Sequence, residues 1–268
     1  MKNTTLDQSA TPSSVVLRQD NDNGVTYLTL NRPAQYNALS EGLLAALEDE
    51  LTAIAADGNI RVVVLAGAGA AFCAGHDLKE MRQTPDTGYY ESLFKKCTRV
   101  MMSMVTLPQP VIAKVHGTAT AAGCQLVANA DLAIASNAAS FAVSGINLGL
   151  FCSTPGVALS RNVPRKLSLE LLMTVLFIDA DRAVAYGLIN RAVSPATLDQ
   201  TVSDLAADIA SKPEAAVRLG KKLFYQQLGQ SLDAAYALAG EQMAHNMGFD
   251  ETIEGIDAFI EKRSPDWT

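Results

Sequence analysis

The stretch Pro110-Val111-Ile112-Ala113-Lys114-Val115-His116-Gly117-Thr118-Ala119-Thr120-Ala121-Ala122-Gly123-Cys124-Gln125-Leu126-Val127-Ala128-Asn129-Ala130-Asp131 decides how the rest of the chain is read. It opens with a short apolar run predicted as a strand over 111–115, passes through a turn of tiny residues, and continues as an apolar helix from about Ala122. Side chains this small let another molecule approach the backbone closely. The first N–H groups of the helix have no partner within it and carry the positive end of its dipole. A strand, a small-residue turn and a helix N-terminus together make a device for holding an anion or a developing oxyanion.

Ala71-Phe72-Cys73-Ala74-Gly75-His76-Asp77-Leu78-Lys79-Glu80-Met81 is a second strand-to-helix turn of small residues, with Asp77 placed to cap the helix. Each turn can offer one backbone N–H, and two such groups converging on one carbonyl oxygen form an oxyanion hole. His76 has the titration range of a general base, but no sequence neighbour orients its ring, so its backbone N–H is the expected contribution. His116 and His245 are expected to be structural. Cys124 is read as a small residue in a crowded turn rather than an activated thiol. Gly67-x-Gly69 is no dinucleotide fingerprint, because Phe72 stands at the third glycine position. There is no Gly-x-Ser-x-Gly and no metal-ligand spacing, so a serine triad and a metal centre have no local support.

Working outward, 268 residues suit one large domain, and 49% hydrophobic against 18% charged residues allow a sizeable core. A net charge of -7 argues against non-specific nucleic-acid binding, which needs a basic field. It leaves room for a phosphorylated ligand held by local cations. Cys73, Cys97, Cys124 and Cys152 lie far apart, which points to reduced thiols. The N-terminal residues lack a signal-peptide core, and the apolar runs are too short to span a bilayer. These features lead to the expectation of a soluble, cytoplasmic protein.

The polar residues 1–13 read as a flexible tail. Val15–Gln19 and Val25–Leu30 read as a hairpin around Asp20-Asn21-Asp22-Asn23-Gly24. Ser40 caps a helix whose Leu43, Leu44, Leu47, Leu51 and Ile54 recur at helical spacing. A buried-type strand follows at Arg61–Ala66, then a loop from Gly67 to Gly75 and a helix over Tyr89–Leu107. Asp131–Ala135, Ser140–Val143 and Ile146–Leu148 read as short extended pieces. Helices are expected at about 155–162, 167–176 and 181–186, with a strand at Ile189–Val193. From 195 to the end the pattern is helical. Strand–strand–helix units followed by helices alone make this an α/β chain, with a layered core over 14–194 and a helical region over 195–268.

These residues resemble the enoyl-CoA hydratase/isomerase (crotonase) superfamily over nearly the whole chain. Asn31-Arg32-Pro33 with Asn37-Ala38-Leu39 is similar to its early loop, and the two small-residue turns are similar to its oxyanion loops. Phe141, Gly149, Pro155-Gly156, Asp181-Arg182-Ala183, Gly187-Leu188-Ile189 and the ending Glu254 to Trp267 continue the pattern. The resemblance implies a crotonase-like spiral of ββα units, with the helical region assembling homotrimers or pairs of trimers. It implies a coenzyme A thioester as ligand, with no further cofactor and no metal. The backbone N–H groups of His76 and Ala122 would hold the thioester oxygen. Ala34, Gln35, Tyr36, Ala74, His76, Asp77, Leu78, Lys79 and Ala122 would line the coenzyme A site, with Lys79 facing phosphate.

The chain departs from the family where hydratases carry two glutamates. By resemblance those positions are Gln125 and Gly145, and neither residue can take or give a proton at neutral pH. Each lost acid/base group costs roughly 10²–10⁴-fold, whereas backbone oxyanion donors survive side-chain replacement. Asn147, Cys152, Ser153 and Thr154 cluster nearby, with Ser153 a candidate for catalysis, and no Asp or Glu occurs between Asn137 and Leu169. The expected function is therefore acyl-CoA processing by carbonyl polarisation, with slow hydration. The alternatives are a non-catalytic acyl-CoA-binding subunit and an acyl-CoA hydrolase or decarboxylase.

Overall fold

The computed structural model describes residues 14–267; the tail expected over 1–13 lies outside the described residues. The chain opens with β1 (Val16–Asp20) and β2 (Val25–Leu30), an antiparallel hairpin with Val16 opposite Leu30. Gly24 at φ +77° closes its turn. The helix α1 (Glu41–Ala56) begins where the Ser40 hydroxyl accepts the Leu43 N–H, and it buries Leu43, Leu44, Leu47, Leu51 and Ile54. Each such buried side chain contributes roughly 1.5–3 kcal/mol of transfer free energy.

A unit then repeats: a long strand enters one sheet, a short strand enters a second, and helical chain follows. The first pass is β3 (Val62–Gly67), β4 (Ala71–Cys73), α2 (Leu78–Gln83) and α3 (Thr87–Thr106). The second is β5 (Val111–Val115), β6 (Thr118–Thr120) and α4 (Ala122–Asn129). The third is β7 (Leu132–Ser136) and β8 (Ser140–Ala142), followed by α5 (Ser153–Asn162) and α6 (Arg165–Thr174). The strands β9 (Ile178–Asp179) and β10 (Arg191–Val193) flank α7 (Ala180–Ala185). The long strands lie in the order β1-β2-β3-β5-β7-β10 and the short ones in the order β4-β6-β8-β9. Pairing is parallel except between β1 and β2 and between β8 and β9. This is the crotonase-like spiral.

The inner parallel strands β3, β5 and β7 of the six-stranded sheet are buried on both faces, as their near-continuous apolar runs require. Val63, Leu65, Val111 and Ala113 join the main core. Their alternates Val62, Val64 and Ile112, with Ile134, pack against Leu198, Val202 and Ala206 of α8 (Leu198–Ala210). The chain ends in α9 (Glu214–Gln227), α10 (Leu232–Asn246) and α11 (Asp250–Glu261). These leave Phe224, Leu232, Tyr236, Met243, Phe259 and Ile260 exposed.

Three local expectations are corrected. The loop read over 67–75 contains β4, and the small-residue turn before α4 contains β6. Three-residue strands are too short to show an alternation of their own. Ile146–Leu148 is not extended but belongs to a 3-10 turn over Gly145–Leu148. Gly149, at φ +74°, ends that turn by donating its N–H to Gly145 and Ile146.

Candidate functional site

The parallel pairing of β4 with β6 sets the two small-residue turns side by side. In the first, Gly75 adopts φ +91°, and a Cβ there would lie 2.8 Å from the Ala121 Cβ and 3.2 Å from the Ala122 nitrogen. Only glycine meets both demands. In the second, Ala121 holds φ 50° and ψ -122°, a conformation costing a side-chain-bearing residue about 1–3 kcal/mol. Its N–H donates to the Ala142 carbonyl at 3.0 Å, and α4 begins at Ala122. Gly123 packs flat on the Cys73 carbonyl, with no room for a Cβ.

His76 pairs with Leu39 as an isolated parallel bridge. The Leu39 N–H donates to the Gly75 carbonyl at 2.7 Å, and the Asp77 N–H donates to the Leu39 carbonyl at 3.2 Å. Those two bonds use the neighbours of His76, so its own N–H is turned away from Leu39. The Ala122 N–H is the first of its helix and has no partner one turn back. The arrangement can thus present two N–H donors where the turns meet.

The early loop braces this geometry. Asn37 is buried at φ 55°, and its side-chain amide donates to the carbonyls of Ala68, Ala71 and Phe72 at 2.8, 2.8 and 3.1 Å. Its Oδ1 accepts the Arg32 N–H at 2.9 Å. The Arg32 guanidinium pairs with Asp77 at 2.9 Å, while Asp77 caps α2 through the N–H groups of Lys79 and Glu80. Burial would raise the Asp77 pKa, but Arg32 and the cap outweigh it and hold the carboxyl below its ordinary value.

A cavity of about 230 Å³ opens beside the two turns. Its wall includes Ala74, His76, Ala121 and Ala122 from the turns, and Leu78, Met81 and Phe94 from α2 and α3. Ser144, Gly145, Leu148, Leu150, Phe151, Cys152, Ser153, Thr154 and Pro155 complete it, from the segment between β8 and α5. The wall is mainly apolar, and none of these residues is Asp, Glu, Lys or Arg. Burial pushes His76 down to about 4, only partly opposed by the Leu39 backbone, so its imidazole is neutral near pH 7. Its ring packs edge-on against Phe94 with centroids 5.4 Å apart. Cys124 is fully buried, and burial pushes its thiol up to about 12.

The family model for enoyl-CoA hydratase/isomerase matches residues 20–268. The chain belongs to this family. Human enoyl-CoA hydratase domain-containing protein 3, mitochondrial, is 43% identical over 245 residues, covering 91% of this chain and 81% of the human protein. The short-chain-enoyl-CoA hydratase of Clostridium acetobutylicum is 32% identical over 258 residues, covering 94% and 96%. The crystal structure of an enoyl-CoA hydratase from Mycobacterium smegmatis superposes with a TM-score of 0.94 at 56% identity, covering 94% of this chain and 98% of that one. The vertebrate relatives correct the cytoplasmic expectation, since they are named mitochondrial. Unpaired cysteines indicate a reducing environment and do not single out the cytoplasm.

Within this enoyl-CoA hydratase/isomerase chain the expected site residues divide. Ala74, His76, Leu78, Ala122, Gly145 and Ser153 line the cavity. Gln125 does not: it is buried on α4, and its Oε1 has no hydrogen-bond partner. Ala34 and Gln35 lie in an exposed 3-10 turn over Pro33–Gln35 that Tyr36 ends, and Lys79 is exposed in the first turn of α2. None of these four, nor Asp77, is part of the cavity wall. The bracing role of Asn37 was not anticipated. Its signal is an asparagine in a loop, a residue type that tolerates positive φ.

Proposed function

We propose that the cavity holds the acyl part of a coenzyme A thioester, with the thioester oxygen between the N–H groups of His76 and Ala122. The observation that carries this reading is the contact of the two turns at Gly75 and Ala121–Ala122. Two preorganised donors aimed at developing negative charge contribute roughly 10²–10³-fold each. The apolar wall suits an acyl chain. The exposed Ala34, Gln35, Tyr36 and Lys79 offer contacts for the polar coenzyme, with Lys79 toward phosphate.

Gln125 and Gly145 stand where the resemblance expects glutamates, so hydration of crotonyl-CoA is expected to be slow while thioester binding persists. Isothermal calorimetry with crotonyl-CoA tests binding, and loss of enoyl absorbance tests hydration. Binding absent, or hydration as fast as in a two-glutamate hydratase, would sink the respective half of the reading. A non-catalytic acyl-CoA-binding subunit is the second reading, favoured by the lack of a carboxylate on the cavity wall. Binding with no product from a panel of acyl, enoyl and malonyl-type thioesters would select it. Release of free coenzyme A would select hydrolysis. Decarboxylation of a malonyl-type group is disfavoured, because no described wall residue is a Lys or Arg that could receive its carboxylate.

The apolar side chains exposed on α9, α10 and α11 support assembly into homotrimers or pairs of trimers, since large exposed patches mark interaction surfaces. Sedimentation velocity reads the assembly directly, and a monomer at micromolar concentration would refute it.

A further inference from the structure

We propose that the Cys152 thiol exchanges protons with the carbon next to the carbonyl of a thioester bound in the cavity, an inference that rests on the thioester reading above. Among the described wall residues, only His76 and Cys152 have titrating side chains. Both His76 ring nitrogens are shut off from accessible space, the cavity included, so the imidazole is not presented to a ligand. The Ser153 hydroxyl donates to the Phe151 carbonyl at 3.3 Å. A hydroxyl is in any case a far weaker acid than a thiol.

Cys152 stands at the N-cap position of α5, makes no capping bond with its side chain, and lines the cavity beside Gly145. A Cβ added to Gly145 would lie 2.6 Å from the Cys152 Sγ. The sulfur therefore fills the room that any side chain at 145 would need, and a glycine there is what admits it. Burial raises the thiol above its ordinary pKa, with the Gly145 backbone partly opposing, and the neighbouring thiol of Cys124 on α4 is held protonated as well. Near neutral pH the group is therefore a proton carrier in the acid form, on the same wall as the two N–H donors.

The step balances without a co-reactant. Solvent first removes the thiol proton. The thiolate then takes a proton from the α-carbon, and the C–H electron pair becomes the carbon–carbon double bond of an enolate. The charge moves to the thioester oxygen, between the N–H groups of His76 and Ala122. In reverse, the thiol returns a proton to the same carbon and the carbonyl re-forms. Nothing is oxidised or reduced.

The full-length protein is incubated with butyryl-CoA in deuterium oxide, and deuterium at the α-carbon is followed by mass spectrometry. Calorimetry measures butyryl-CoA binding in parallel. The wild type is expected to wash deuterium into the α-position. Cys152→Ala is expected to slow this by about 10²-fold or more while the dissociation constant stays within about threefold. Cys152→Ser, which keeps the size of the side chain, is expected to lose exchange as well, with its fold checked by circular dichroism. Exchange unchanged in both variants would overturn the proposal, as would a wild type that binds butyryl-CoA without exchange. A wild type that does not bind would overturn the thioester reading and this inference with it.

Discussion

Lys221 reaches from α9 to within 2.6 Å of the Asp131 carboxylate, so the C-terminal helices are tied to both ends of the stretch Pro110–Asp131. The same carboxylate accepts the Val111 N–H at 2.7 Å and the Tyr225 hydroxyl at 2.8 Å. Lys221 also donates to the carbonyls of Met104 and Gln109, each at 2.9 Å. Burial lowers the Lys221 pKa against the opposing pull of Asp131. Removing one member of a buried pair leaves an uncompensated charge, at a cost of about 3–5 kcal/mol. Lys221→Met is expected to lose stability on that scale in urea denaturation, and Lys221→Met with Asp131→Asn to recover part of it. A single variant unfolding at the wild-type midpoint would show the pair to be dispensable.

His76 sets a pH dependence of stability. Its folded pKa is depressed to about 4 from an ordinary 6.5, so between these values the unfolded chain binds more protons. Stability therefore rises with pH through that window and falls as pH drops from 6.5 toward 4, by about 3 kcal/mol in all. His76→Phe should flatten this part of the profile, as read by thermal melts from pH 4 to 7. An unchanged slope would assign it to other groups.

Asn37 should tolerate no isosteric exchange. Asn37→Asp keeps the shape but replaces an amide donor with a carboxylate facing three carbonyl oxygens. A loss of at least about 3 kcal/mol is expected, because buried donors and acceptors without partners are costly and charges more so. Acyl-CoA affinity should fall with it, since the loop holding His76 rests on this brace. Denaturation and calorimetry on the same sample would show whether both move.

Two glycines act through the space they leave. Gly123→Ala is expected to prevent folding, because its Cβ would collide with the Cys73 carbonyl and break the packing of one turn on the other. At Gly145 a Cβ would meet the Leu150 carbonyl oxygen at 2.6 Å as well as the Cys152 sulfur. Installing glutamates at both Gln125 and Gly145 is therefore expected to lower the melting temperature and to yield no crotonyl-CoA hydration. A stable double variant that hydrates would show that the segment from Gly145 to Cys152 can yield.

Much of this was legible in the sequence. The leucine spacing after Ser40 gave α1, the apolar strands announced a two-faced sheet, and the two runs of tiny residues marked both turns. The family resemblance rested on the same residues. What stayed hidden were the short strands β4, β6 and β9 and the 3-10 turn at Gly145. Pieces of two to four residues carry no period of their own, and β8 and β10, each of three residues, were legible only within the longer runs Ser140–Val143 and Ile189–Val193. The absence of Gln125 from the cavity wall was equally hidden. One position in a helix registers as a side chain's type, not as the direction in which the neighbouring elements leave it free to point.

The sequence by itself determined local conformation, since caps, alternation and side-chain size act over a few residues. It marked two turns of tiny residues and fixed that no carboxylate would come from residues 137–169. Only the tertiary structure decided that these turns touch, through strands paired across the spiral, and that Cys152 fills the space beside Gly145. It also decided that Lys221 closes the far end of the stretch on Asp131. Such contacts join residues distant in the chain, and close packing of the whole core selects them.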